Sequence, residues 1–144
     1  MRSKEEIIKS LHAQININGH IIGAVAGSGM NAKYVKMGGA DFLLALAAGR
    51  FRVTGRSSLG SFLCYDNNNS LVMHFGTREL LSLIKDTPIL FGLAASDPTI
   101  SLYEYLKEIK NAGFAGITNF PTVAMIDGKF REALEEEPLR LIAL

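Results

Sequence analysis

The chain has little of what redox, zinc or membrane roles require. It holds one cysteine, Cys64, so an intrachain disulfide and a cysteine-based zinc cluster are both excluded. A small, half-buried residue is the expected role for it. No run approaches the roughly 20 apolar residues of a membrane span. The N-terminal stretch MRSKEEIIKS mixes acids and bases and has no signal-peptide core. A cytoplasmic location is the resulting expectation. The net charge is only +1, so nothing pulls the whole molecule toward nucleic acid or an anionic membrane. Any preference for anions must be local. The three histidines, His12, His20 and His74, are scattered and support no triad or metal cluster.

What is present is alternation. Residues 3–18 carry Ser3 and Glu6 in a capping-box pattern, then Ile7, Ile8, Leu11 and Ile15 at helical spacing, with Asn18-Gly19 as the stop. This leading helix is expected to cover an edge or end of the core. Residues 21–26 form a short continuous apolar run, read as a strand buried on both faces. Gly27-Ser28-Gly29, a helix over 30–37 and Gly38-Gly39 follow, and then a second apolar strand, 42–47. Strand, glycine turn, helix, glycine and strand make a βαβ unit.

The next connection is long, roughly 22 residues where about 2–6 are usual. It contains AAGRFRVTGRSSLG, with Arg50, Arg52 and Arg56, and reads as an exit loop. Asp66 to Asn69 supply N-cap candidates for a helix over about 70–85. A third strand spans 89–94 and leaves through Ala95-Ser96-Asp97-Pro98. Ser101 and Glu104 form a second capping-box pattern ahead of a helix with Leu102, Leu106 and Ile109 on one face. A fourth strand over 115–119 and a helix over about 128–136 complete the pattern. The segments 36–42 and 110–116 weakly repeat each other, each a helix end, a glycine stop and the start of a buried strand.

The chain is thus a leading helix, residues 1–19, four βα units over 20–137, and a tail, 138–144. One domain is expected at this length. Two α/β architectures fit. One is a parallel (βα)4 half of a TIM barrel, and the other is a small open doubly wound sheet.

Four stretches, GAVAGSGMNAKY, AAGRFRVTGRSSLGSFL, KDTPILFGLAASDP and GFAGITNFPTVAMIDGKFREALEE, carry a resemblance. Over about residues 4–137 the sequence resembles the phosphoenolpyruvate hydrolase-like TIM-barrel proteins, also described as phosphonopyruvate hydrolase-like. The resemblance implies a (β/α)8 barrel in a superfamily of phosphoenolpyruvate and pyruvate enzymes, with hydrolase or lyase chemistry at a C–P or P–O bond. The chain departs from it in having four βα units rather than eight, and its tail does not look like the family's continuation. Pairing of two copies would close eight strands, so a homodimer is expected.

In a parallel barrel the working groups stand at the strand C-terminal ends. Gly27, Ser28 and Gly29 can offer backbone N–H groups and a helix dipole to an anion, or form only a tight turn. Arg50 and Arg52, on one side of an extended segment, suit a carboxylate or phosphonate, with Arg56 deeper in the loop. The alternative for these arginines is a salt bridge at the barrel rim or at a subunit interface. Asp97 suits a Mg2+ ligand or general base, or equally an N-cap. Asn119, and secondarily Thr122, can hydrogen-bond a substrate oxygen. The leading expectation is an enzyme-like protein for a small anionic metabolite. The alternative is a non-catalytic, self-associating half-barrel that serves as a metabolite-binding or assembly module.

Overall fold

The computed structural model describes residues 3–62 and 66–136. Cys64 and the tail lie outside them. Helix α1, Lys4–Asn18, starts with the expected capping box: the Ser3 Oγ accepts from the Glu6 N–H at 3.2 Å and Glu6 Oε2 accepts from the Ser3 N–H at 2.7 Å. Gly19 ends it at φ 74°, a left-handed cap that a side chain would strain. No residue of α1 is buried. Its Ile7 lines two cavities at the N-terminal ends of the third and fourth strands.

Four strands follow in register: β1 Gly23–Val25, β2 Phe42–Ala45, β3 Ile89–Leu93 and β4 Gly116–Asn119. All neighbours are parallel and the order is β1-β2-β3-β4. That order decides between the two expected architectures. A doubly wound sheet reverses direction once, so that helices cover both faces. Here each crossover steps the same way, which leaves the helices on one face, as in an arc of a barrel. The sheet is not closed.

Alternation along the strands separates two faces. Leu43, Ala45, Ile89, Phe91 and Leu93 are buried under the helices, among Val72, Phe75, Leu80 and Ile109. Phe91 meets Phe114 and Tyr105 edge-on, with ring centroids 5.1 and 6.0 Å apart. The opposite face carries Val25, Phe42, Leu44 and Leu90, all only partly covered. Glycines make room there: the Phe42 ring lies over Gly23 and Leu46 over Gly92.

The helices are α2 Gly29–Met37, α3 Ala47–Val53, α4 Asn68–Phe75, α5 Leu81–Leu83, α6 Leu102–Ala112 and α7 Gly128–Glu136. A π-helical turn, Gly76–Leu80, links α4 to α5, and 3-10 turns span Ser58–Ser61 and Val123–Met125. Two expectations fail. The stretch after β2 is not an extended loop but begins as α3, because Ala47 and Phe51, four residues apart, bury one helical face. The second capping box does not form. Ser101 makes no side-chain cap bond, and Glu104 pairs with Lys107 at 3.0 Å instead. Among the described residues no helix is long and apolar enough to cross a membrane.

Candidate functional site

The strand exits gather at one end of the sheet, and glycine sets the first contact there. The backbone of Gly27, after β1, lies against that of Gly49 in α3, so closely that a Cβ on Gly27 would run into the Gly49 carbonyl. The Ser28 Oγ caps α2 by accepting from the Asn31 N–H at 3.2 Å. Two of the turn's three amides are already engaged. Gly27 N–H donates to Asn31 Oδ1 at 3.2 Å and Gly29 N–H to Glu79 Oε2 at 3.0 Å. The anion at the start of α2 is therefore the protein's own Glu79, from the π-helical turn.

Glu79 also holds Arg50. The arginine Nη1 stands 3.1 Å from Glu79 Oε1 and donates to the Gly27 carbonyl at 3.2 Å. Its guanidinium lies over the Phe75 ring, 5.6 Å from the centroid. The first two βα units are thus tied at one point. Every side-chain polar contact of Arg50 with the described residues runs through Nη1, and Nε and Nη2 of this 29% exposed side chain make none with those residues.

Arg52 does not share that position. On a helix, residues two apart point roughly 200° from each other, which corrects the same-side expectation. Arg52 is exposed and donates to Ser58 Oγ at 3.4 Å. Arg56 lies beyond the helix, where its backbone N–H donates to the Phe51 carbonyl at 2.9 Å and helps to end α3.

Asp97 follows β3 and is saturated. Its Oδ1 accepts from the Thr99 N–H and hydroxyl at 2.9 and 2.6 Å, and its Oδ2 from the side-chain amides of Asn67 and Asn69 at 3.2 and 3.0 Å. Partial burial raises its pKa, but the bonds from Thr99, Asn69 and Asn67 outweigh that and hold it below the usual aspartate value. Asp97 does not cap α6, whose N-cap position belongs to Ser101. Burial, then the charges of Glu108 and Asp97, push the nearby Tyr105 phenol up to about 12. Mg2+ wants several oxygen ligands in octahedral array. Asp97 would have to give up amide donors to serve, and no group of three or more His, Cys, Asp or Glu among the described residues could join it. The described residues therefore do not by themselves fit a Mg2+ site.

Asn119 stands in register with Leu93, on the helix-covered face, while Thr118 stands beside Gly92 on the opposite one. The barrel-facing polar group of β4 is thus Thr118, which strict alternation from Ile117 could have indicated. Thr122 Oγ1 accepts from the Ala124 N–H at 3.2 Å and caps a 3-10 turn.

Sequence reasoning missed two further residues. Asn69 is buried, and its amide pairs with both the N–H and the carbonyl of Ala94 at 2.9 and 3.1 Å, closing the end of β3. Its place in an Asp-Asn-Asn-Asn run suggested only a cap. Glu79 stands fifty residues from the glycine it bonds, and no local pattern marks it. At the other end of the sheet lies a separate cavity of about 530 Å³, lined by Lys4, Ile7, Leu106, Ile109, Phe114 and Ile117.

The phosphoenolpyruvate hydrolase-like family model matches residues 6–141. The ToMV resistance protein Tm-1(GCR237) of Solanum lycopersicum is 38% identical over 136 residues, 94% of this chain and 18% of that protein. The protein y4pA of Sinorhizobium fredii is 41% identical over 136 residues, 94% of this chain and 22% of its own length. The chain therefore spans about a fifth of these relatives. A phosphoenolpyruvate phosphomutase from Streptomyces platensis subsp. rosaceus superposes with a TM-score of 0.57 at 14% identity, over 88% of this chain and 42% of that one, a likeness of fold. By its sequence match and its sequentially ordered parallel strands, the chain belongs to the phosphoenolpyruvate hydrolase-like family.

Proposed function

We propose that this chain forms the anion-binding arc of a barrel for a small carboxylate or phosphonate of the phosphoenolpyruvate or phosphonopyruvate type. One observation carries the reading. Among the described residues Arg50 is held at the strand exits through Nη1, and its Nε and Nη2 form the kind of two-donor edge that receives a carboxylate or phosphonate bidentately. Glu79 acts as its positioning residue, because the ion pair and the Gly27 carbonyl fix the plane of the guanidinium before any ligand arrives. Ser28 and Thr118 are the hydroxyls best placed to add bonds from β1 and β4.

Binding without turnover is the expected behaviour of this chain alone. Hydrolysis at a C–P or P–O bond needs a base or metal-activated water. Asp97, the carboxylate at the β3 exit, is held below the ordinary aspartate range and spends both oxygens on four donors. Calorimetric titration with phosphonopyruvate and with phosphoenolpyruvate, with and without Mg2+, beside an assay for released pyruvate, tests this. Saturable binding that Arg50→Ala abolishes, with no pyruvate formed, is expected. Absence of binding, or binding unchanged in Arg50→Ala, refutes it.

A further inference from the structure

Gly27 carries the Arg50 guanidinium on its carbonyl, and it has no side chain with which to fix its own orientation. A Cβ there would run into the Gly49 carbonyl, so glycine is required, and with it comes the loosest backbone of any residue. The Gly27 backbone must therefore be held from outside. Its close packing against Gly49 is one restraint. Another is the hydrogen bond from its N–H to Asn31 Oδ1 at 3.2 Å.

Asn31 is itself held at both ends. It stands in the first turn of α2, three residues after the N-cap Ser28, and its own N–H donates to the Ser28 Oγ at 3.2 Å. The side chain at this position is an amide, not an acid. An aspartate would accept from the Gly27 N–H more strongly and would suit the first turn of a helix. It would also set a second carboxylate near Arg50, whose charge Glu79 already offsets. Asparagine supplies the acceptor without that charge. A site meant for an anion needs such neutrality, whereas a helix cap alone does not.

We infer that Asn31 is a positioning residue of the Arg50 site. It acts through Gly27, whose N–H rests on Asn31 Oδ1 and whose carbonyl receives Arg50 Nη1. Glu79 restrains the guanidinium from the side of the π-helical turn, and Asn31 sets the backbone acceptor on the side of β1. The effect of Asn31 on anion affinity rests on the reading of Arg50 proposed above. Its effect on the guanidinium itself does not, and can be read without any ligand.

15N NMR of the full chain, read at the Arg50 Nε–Hε resonance without ligand, tests the effect on the guanidinium. Asn31→Ala should displace or broaden that signal. Asn31→Asp, which keeps an acceptor for the Gly27 N–H, should bring it back toward its wild-type place. Ser3→Ala loses a cap of the same kind on α1 and should leave it still. Calorimetric titration with phosphonopyruvate tests the effect on affinity. Asn31→Ala should weaken binding about tenfold, at a temperature where circular dichroism shows it folded. Asn31→Asp should weaken it most at low salt, where its carboxylate repels the ligand least screened. An Arg50 signal that Asn31→Ala leaves in place, or that Ser3→Ala moves as far, overturns the inference. So does unchanged affinity in Asn31→Ala when the wild-type chain binds. If the wild-type chain binds nothing, the anion reading fails, and the Arg50 signal alone decides whether Asn31 positions it.

Discussion

The exits of β1 and β2 on one side and of β3 on the other are built from similar sequence signals and reach opposite electrostatic ends. Each is a charged residue shortly after an apolar strand. Arg50 meets a carboxylate, Glu79, so the charge cancels inside the cluster, while Nε and Nη2 make no contact with the described residues. Asp97 meets four neutral donors, so its negative charge persists while both its oxygens are filled. A charged residue at a strand end thus does not by itself declare what it can bind. The partners decide: Glu79 of the π-helical turn for Arg50, and Thr99, Asn67 and Asn69 for Asp97.

Gly27→Ala should break the first cluster most severely. The added methyl meets the Gly49 backbone carbonyl, which cannot swing aside. A loss of about 3 kcal/mol or more is expected in urea denaturation, or failure to fold. In the second cluster Asn69→Ala should cost about 2–3 kcal/mol, because it strips the buried N–H and carbonyl of Ala94 of their partner. Glu79→Ala should cost less, about 1–2 kcal/mol, since both partners of the ion pair are about a third exposed. It should also free the Gly29 N–H, seen as faster amide exchange at that residue.

Acid sharpens the contrast. The depressed pKa of Asp97 contributes stability that is complete above the ordinary aspartate value of about 3.9 and is lost as pH falls through the lower folded value. Asp97→Asn should therefore flatten the acid limb of a stability-against-pH curve and leave the neutral region's slope unchanged. The smallest effect belongs to Arg52→Ala. With one long bond to Ser58 on an exposed side chain, it should shift stability by less than about 0.5 kcal/mol.

Much of the fold was legible because glycine and short-range periodicity report it directly. Gly19 and Gly113 end helices at φ 74° and 110°, and the four apolar runs became the four strands, the first shortened at both ends and the others at one. The first capping box formed where Ser3 and Glu6 had nothing better to bond. The second did not, because Lys107 claimed Glu104. Helix α3 was hidden because it is only seven residues long and is stabilised by packing of Ala47, Ala48 and Phe51 rather than by caps. The site was legible only in part. Arg50 could be picked from its position after β2, but its geometry depends on Glu79. That long-range pairing leaves no trace in local spacing, and neither does the amide of Asn69 that imitates a neighbouring strand.

The open edge of Arg50 is the claim on which the functional account rests. Its Nε–Hε resonance, followed by 15N NMR as phosphonopyruvate is added to the full chain, reads that edge directly. A saturable shift of the Arg50 signal, with the Arg52 signal nearly still, is predicted. A ligand that binds while the Arg50 signal stays in place, or no response up to about 10 mM, would contradict it.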